Sequence, residues 1–256
     1  MTGNPLRRIL LALTCASAAL LAACGSGTIV DPFQPTRVLS VGDSFSDLGQ
    51  DGKRYTVNDN TINIWSEQLA ASFGLPLVAS NKGGLSYARG DALVQGPTGN
   101  SIEAQVTELL SKNTLQPGDL VLINGGIADI VTNVAAYGFS SQSIANVKAA
   151  GTALGAQVQR LVNAGAKHVL LAGVYPLGLS PYGAASGQVT NLTNITLDFN
   201  NALKLSVVDL GYNVLYLDSS NYYSNVYYTP TNYAPLNNST TIACTTVLVT
   251  ECTPAT

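Results

Sequence analysis

Short apolar runs alternate with longer segments of helical periodicity along residues 37–217. Because buried strands are short and apolar, the runs are predicted to be strands, and the amphipathic segments between them are predicted to be helices. The alternation predicts an α/β fold with a parallel sheet that is covered on both faces. The predicted strands are Arg37–Val41, Asp119–Asn124, His168–Val174 and Asn213–Leu217, and the predicted helices are Thr61–Phe73, Ser101–Ser111, Ser143–Gly165 and Val189–Gly211. Residues 219–256 are rich in Tyr, Asn and Thr and show little periodicity.

The N-terminus has the organisation of an export signal. Arg7 and Arg8 precede the apolar stretch Ile9–Leu21, which is too short to span a bilayer. The string that ends in Cys24 consists of small residues and resembles a lipobox, which implies a signal peptide over residues 1–23 and a lipid on Cys24. An ordinary secretory signal with an incidental cysteine is the alternative. Residues 24–36 are predicted to be a tether.

Composition narrows the possible partners. The chain carries a net charge of −3 and has no cluster of Lys or Arg, which argues against a nucleic-acid partner. Cys244 and Cys252 form an even pair in an exported chain, so we expect a disulfide between them. Few other ligand residues lie near them, and neither a metal nor another cofactor is expected.

One serine stands where α/β proteins place their active sites. Gly42-Asp43-Ser44 follows the first predicted strand, at the carboxyl edge of the sheet. The glycine permits a tight turn there, and the start of the next helix offers backbone N–H groups. The tripeptide by itself favours a helix-capping serine over a nucleophile.

The longer string Gly42–Gly49 resembles the first block of the SGNH (GDSL-type) hydrolases, and most closely a branch of outer-membrane esterases and phospholipases. Tyr87–Ala92 resembles the second block and Ile123–Asp129 the third. Over residues 37–256 the resemblance implies a three-layer α/β/α sandwich with a mostly parallel, flavodoxin-like sheet. It also implies an ester hydrolase with Ser44 as nucleophile and with the N–H groups of Ser44 and Gly90 in the oxyanion hole. Lipid, short acyl and acetylated-sugar esters are the substrates it implies.

Two departures from the family pattern affect the expected chemistry. The third block normally holds an asparagine whose side chain donates to the oxyanion, and Ala128 stands in its place. The last block, Asp-x-x-His, has no counterpart, and the chain's one histidine, His168, begins a strand far from the expected site. We therefore interpret the chain as ending before that block and before a final C-terminal helix. This 256-residue form is expected to be inactive or weakly active on esters.

Two other functions stay open at this point. The chain can be a non-catalytic surface lipoprotein that retains the fold, or a gene fragment. The expected location is the outer membrane, on its periplasmic or outer side. Without the final helix, the apolar strands Arg37–Val41 and Asp119–Asn124 are expected to leave an uncovered patch beside the first strand. The protein is then expected to be poorly folded, to aggregate, or to borrow a cover from a partner.

Overall fold

The computed structural model describes residues 32–96, 99–245 and 248–255. The chain divides into two units, residues 1–34 and residues 35–256, and the second holds all of the described strands and helices. Cys24 and the predicted signal peptide lie outside the described residues. Among the described residues, no helix has the length and apolar character needed to cross a bilayer.

The second unit alternates strands with helices, as the sequence predicts. The strands are β1 (Arg37–Val41), β2 (Asp119–Asn124), β3 (His168–Ala172) and β4 (Val214–Leu217). The helices are α1 (Trp65–Ser72), α2 (Ile102–Lys112), α3 (Ile127–Tyr137), α4 (Ser141–Asn163), α5 (Pro181–Ser186), α6 (Val189–Val207) and α7 (Ser219–Tyr228). Short 3₁₀ turns lie at Ser80–Lys82, Leu177–Leu179, Val208–Asn213, Pro230–Asn232 and Val249–Glu251.

The four strands form one parallel sheet in the order β1-β2-β3-β4. Val41 pairs with Ile123 and Leu171 also pairs with Ile123, so the carboxyl ends of the first three strands meet at one edge. Among the described residues, the sheet is extended beyond β1 only by an isolated parallel bridge between Ser40 and Ser86. The loops that follow β1, β2 and β3 therefore converge at the same edge.

Helices cover one face of the sheet, and a helix with long loops covers part of the other. On the first face, α2, α4 and α6 bury a continuous core against Leu39, Val121 and Leu171. On the second face, α1 and the segments around it pack on Val38 and Leu122. These layers give the three-layer α/β/α sandwich expected from the sequence.

The uncovered patch expected beside the first strand is not there, and that expectation is wrong. Val38, Leu39 and Val41 of β1 are at most 1 % exposed, and Leu122 of β2 is fully buried. The cover comes from residues 42–80, where Leu48, Ile64, Ala70, Leu77 and Ala79 pack onto this face. The exposed part of the sheet lies instead on the edge strand β4, where Leu215 is 68 % exposed.

Candidate active site

Ser44 lies directly beyond the carboxyl end of β1, on a turn that approaches β2 closely. A Cβ atom at Gly42 would lie 2.0 Å from Asn124 Oδ1. Only glycine therefore allows the turn after β1 to approach the end of β2 this closely. The turn leaves Ser44 half-buried, with Phe45 exposed beside it. The nucleophile expected from the sequence therefore stands at the edge where the loops converge.

A second loop brings a backbone N–H to Ser44. The N–H of Asp91 donates to Ser44 Oγ at 2.8 Å, and the Ser44 hydroxyl faces Asp91 Oδ1 at 3.4 Å. Asp91 has φ 54°, and no other described non-glycine residue has a positive φ. The left-handed conformation is uncommon for a residue with a side chain, and Asp is among those that adopt it most readily.

Gly90, the expected oxyanion donor, lies next to this contact but has its N–H engaged elsewhere. That N–H donates to Asp47 Oδ2 at 2.7 Å. A Cβ atom at Gly90 would lie 2.0 Å from a ring carbon of Tyr55, so a side chain has no room there. The structure thus brings Gly90 to Ser44, while its role as oxyanion donor stays a prediction that requires the bond to Asp47 to open.

The carboxylate of Asp47 organises both loops. It is fully buried, and it accepts N–H groups from Gly49, Gln50 and Gly90. Burial raises the pKa of Asp47, and the three N–H donors oppose that rise because they favour the ionised form. Asp47 therefore fixes the loop of Gly90 and Asp91 relative to the turn of Ser44.

A series of hydrogen bonds in the interior holds the turn that carries Ser44. Trp65 Nε1 donates to Ser46 Oγ at 3.1 Å, and Ser46 Oγ donates to Asn124 Oδ1 at 2.6 Å. Asn124 Nδ2 in turn donates to Asp43 Oδ1 at 2.6 Å. Asp43 is 2 % exposed, and its burial raises its pKa against the hydrogen bonds from Phe45 N–H and Asn124. The residue before the nucleophile is thus held inside the core.

Two cavities open at this edge and share Asp43, Phe45 and Ile127 as a common wall. The first, the serine groove, has a volume of about 350 Å³ and includes Ser44, Asp91, Ala128 and Thr132. The second, the aromatic pocket, has a volume of about 360 Å³. Its aromatic wall consists of Phe45, Trp65, Tyr175, Tyr222 and Tyr223.

The aromatic pocket contains a column of rings. Tyr175 and Tyr223 are stacked with centroids 4.8 Å apart, and Phe45 meets Tyr175 at 5.5 Å in a tilted arrangement. Burial strongly raises the pKa of Tyr175. The surface of the pocket is mostly apolar, and two of its polar residues, Asp43 and Asn124, bond to each other.

His168 lies at the opposite end of the sheet from Ser44. It is the first residue of β3 and pairs with Leu120, near the start of β2, whereas Ser44 follows the end of β1. A five-residue strand spans roughly 16 Å. The structure therefore does not bring the chain's one histidine to the nucleophile.

Two cysteines lie together in the last part of the chain. Cys244 and Cys252 are joined as a disulfide, with Cα atoms 5.6 Å apart. The carbonyl of Cys252 accepts the N–H of Asn58, which connects this segment to the loop before α1. Cys24, the expected lipidation site, lies outside the described residues.

Three residues of the site were not singled out from the sequence: Asp47, Asp91 and Asn124. Asn124 carried a usable signal, because it is the last residue of a predicted parallel strand, at the edge where polar residues gather. Asp47 lies in the same motif as Ser44, but its bond to Gly90 joins residues far apart in the chain.

A serine beyond the first strand of an open parallel sheet, with backbone N–H groups from a second loop beside it, is the arrangement of serine-dependent acyl-transfer enzymes. The family model described as GDSL-like Lipase/Acylhydrolase matches residues 38–240. The chain belongs to this family, and membership supports ester hydrolysis as its general chemistry.

Two curated proteins are similar to the chain. It is 27 % identical over 187 residues to the phosphatidylcholine-sterol acyltransferase of Aeromonas hydrophila, an alignment that covers 67 % of this chain and 54 % of that protein. It is 31 % identical over 149 residues to Lipase 1 of Photorhabdus luminescens, which covers 55 % of this chain and 22 % of that protein. The chain thus spans about half of the first relative and about a fifth of the second.

Proposed function

We propose that the chain carries the nucleophile of a carboxylic ester hydrolase, and that this nucleophile is Ser44. The observation that carries the proposal is the contact of Ser44 Oγ with the N–H of Asp91 at the carboxyl end of β1. Membership in the GDSL-like lipase/acylhydrolase family supports ester chemistry in general. The names of both curated relatives refer to lipids, which places lipid esters among the candidate substrates.

In this reaction Ser44 Oγ attacks the ester carbonyl and loses its proton to a base. The base returns that proton to the alcohol, which leaves, and water then releases the acid from the acyl-serine. The oxyanion needs donors near 3 Å, which the N–H groups of Ser44 and Gly90 would supply once Gly90 leaves Asp47. Ala128 lines the serine groove but has no donor, and the absence of one oxyanion donor typically costs about 10²–10³ in rate.

The rate of ester hydrolysis by the 256-residue chain is expected to be limited by the base that accepts the proton of Ser44. His168 lies at the far end of β3, and loss of the histidine in a serine hydrolase costs on the order of 10⁶ in rate. We therefore expect this chain to turn over esters no faster than its Ser44→Ala variant when no base is added. Added imidazole supplies the missing proton acceptor.

The experiment compares the chain with its Ser44→Ala variant on p-nitrophenyl acetate, with and without imidazole. Imidazole attacks this ester in free solution, so the measured quantity is the difference between the two proteins. We expect a Ser44-dependent rate only with imidazole, together with an acetyl group on Ser44 detected by mass spectrometry. Equal rates for the two proteins at every imidazole concentration, with no acetylated serine, would reject the proposal.

A second candidate function is a surface lipoprotein that binds a ligand without hydrolysing it. The position of His168 and the methyl group of Ala128 in the serine groove favour it. Saturable binding of an ester by a protein that does not acquire an acyl group with imidazole would identify this function.

We also propose that the protein is exported and anchored by a lipid on Cys24. The support is the short apolar run Ile9–Leu21 followed by small residues before the cysteine. A disulfide between Cys244 and Cys252 agrees with an oxidising compartment outside the cytoplasm.

A further inference from the structure

The aromatic pocket is continuous with the serine groove. Asp43, Phe45 and Ile127 line both cavities, and Phe45 directly follows Ser44 in the chain. A molecule whose ester group lies at Ser44 can therefore place its other end beyond Phe45. The chemistry of this pocket then selects part of the substrate, provided that Ser44 acts on esters as proposed above.

The lining of the pocket excludes strongly polar ligands. Asn124 donates to Asp43 Oδ1, Asp43 Oδ2 is buried and so is not exposed on the pocket surface, and the remaining wall is mostly apolar. A sugar placed there would lose its hydrogen bonds to water without replacing most of them, which is costly. The occupant must be an apolar group.

The ring geometry favours an aromatic group over an alkyl group. Tyr223 stacks on Tyr175, and Phe45 continues the column toward the nucleophile. An additional ring in this column gains ring–ring contacts beyond the burial of its area, and an alkyl group does not. The volume of about 360 Å³ lies within the range of ligand pockets and is more than twice that of an engineered cavity of about 150 Å³ that binds benzene.

We propose that the pocket beside Ser44 binds an aromatic ring of the ester substrate, so that the preferred substrates are esters with an aryl group a few bonds from the carbonyl. The ring enters past Phe45 and packs against Tyr175 and Tyr223.

Binding can be measured without turnover because the chain has one tryptophan, Trp65, and it lines the pocket. The protein is the full chain with Ser44→Ala, which cannot form an acyl-serine. Two ligands with the same carbon skeleton are titrated against Trp65 fluorescence: methyl 3-phenylpropanoate and methyl 3-cyclohexylpropanoate. The cyclohexyl ester is the more hydrophobic of the two, so a purely apolar pocket would bind it more tightly.

We expect the phenyl ester to bind about tenfold more tightly than the cyclohexyl ester. Tyr223→Leu should reduce this preference to about twofold or less, because it removes the stacked ring while it keeps an apolar wall. Tyr137→Leu is the matched control, since Tyr137 ends α3, is 54 % exposed and lines neither cavity. Circular dichroism checks that both variants remain folded.

Equal affinities, a preference for the cyclohexyl ester, or no response of Trp65 to either ligand would overturn the assignment. So would a tenfold preference that survives Tyr223→Leu. These outcomes do not depend on hydrolysis, whereas the imidazole experiment does not depend on the aromatic pocket. Failure of the ring preference is thus distinguishable from failure of the proposed ester hydrolase.

Discussion

Asp47 and Gly90 are separated by 43 residues in the chain and joined by a hydrogen bond of 2.7 Å. The bond connects the loop that carries the nucleophile to the loop that faces it. Because the same carboxylate also accepts two N–H groups from its own loop, Asp47 defines the distance between Ser44 and Asp91.

Asp47→Asn should destabilise the protein by about 1–3 kcal/mol. An asparagine has one acceptor oxygen, so its amide group would point at an N–H that Asp47 now satisfies, and two donors would face each other. Chemical denaturation measures the change in unfolding free energy. Asp51→Asn is the control: the Asp51 side chain is 72 % exposed, and the change there should stay within about 0.5 kcal/mol. Similar values for the two variants would contradict the organising role of Asp47.

Gly90→Ala should also destabilise the protein, by about 1–3 kcal/mol, since the new methyl group overlaps the ring of Tyr55. Tyr55→Ala in the same protein removes the obstacle, so the double variant should cost less than the sum of the single changes. Gly99→Ala, at a position with nothing within 4 Å of the added carbon, serves as the control. Strictly additive effects of Gly90→Ala and Tyr55→Ala would show that the ring does not exclude a side chain here.

Asp129 should make stability depend on pH. Burial raises its pKa to about 6, against the opposing hydrogen bond from the N–H of Val94. The folded state then binds more protons than the unfolded state between about pH 4 and pH 6. The unfolding free energy therefore decreases as the pH rises through this interval, with Asp129 contributing up to about 3 kcal/mol.

The test is Asp129→Asn, followed by denaturation at several pH values. Burial also raises the pKa of Asp43 and Asp47, so some decrease should persist in the variant. The variant should nevertheless lose less stability than the wild type between pH 4 and pH 6. Identical pH profiles would show that Asp129 ionises alike in the folded and unfolded protein.

Cys24 should be the site of lipid attachment and signal cleavage. Globomycin inhibits the peptidase that processes lipoproteins, and treated cells should therefore accumulate the unprocessed precursor. Cys24→Ser should release the protein from the membrane fraction or block its processing. Normal processing in the presence of the inhibitor would rule the lipid anchor out.

The pair Cys244 and Cys252 should be oxidised in the exported protein. Cleavage after Glu251 places the two cysteines on different peptides. Mass spectrometry of such a digest without reduction should show the two peptides linked, about 2 Da lighter than the sum of the reduced peptides because two hydrogen atoms are lost. Reduction should separate them. Two alkylatable thiols in protein taken from the periplasmic side would refute the pairing.

The strands were predictable from the sequence because each is a continuous apolar run with clear limits. The bounds of β1 and β2 agree with the prediction, and β3 and β4 differ by one or two residues. Helix α3 was not predicted although Ile127, Ile130, Val131 and Val134 lie at helical spacing, because the segment was interpreted only as part of the third block of the family pattern. Helix α7 was missed because it buries no residue, so its sequence has no apolar periodicity to detect.

The active site was predictable only where residue order carries information. Ser44 and Gly90 could be named as candidates because their motifs follow one another along the chain in the family's order. Asp47 and Asn124 were missed because their roles arise from contacts with Gly90 and Ser46 that only the folded chain creates. The covering of β1 was missed for a similar reason: residues 42–80 contain one predicted helix, but the sequence does not show that the loops around that helix pack with it as a layer.

In the motif Gly42-Asp43-Ser44, the aspartate serves the stability of the fold and the serine serves catalysis. The series of hydrogen bonds from Trp65 to Asp43 separates these two roles. Replacing Asp43 or Asn124 leaves the other residue buried without its hydrogen bond. Selection for a stable fold alone is therefore enough to retain both residues. Ser44 is half-buried and holds no such position in the core. A protein of this fold that had lost catalytic activity would therefore retain the aspartate, whereas its serine could be substituted. In such proteins only the serine indicates whether catalysis has been retained.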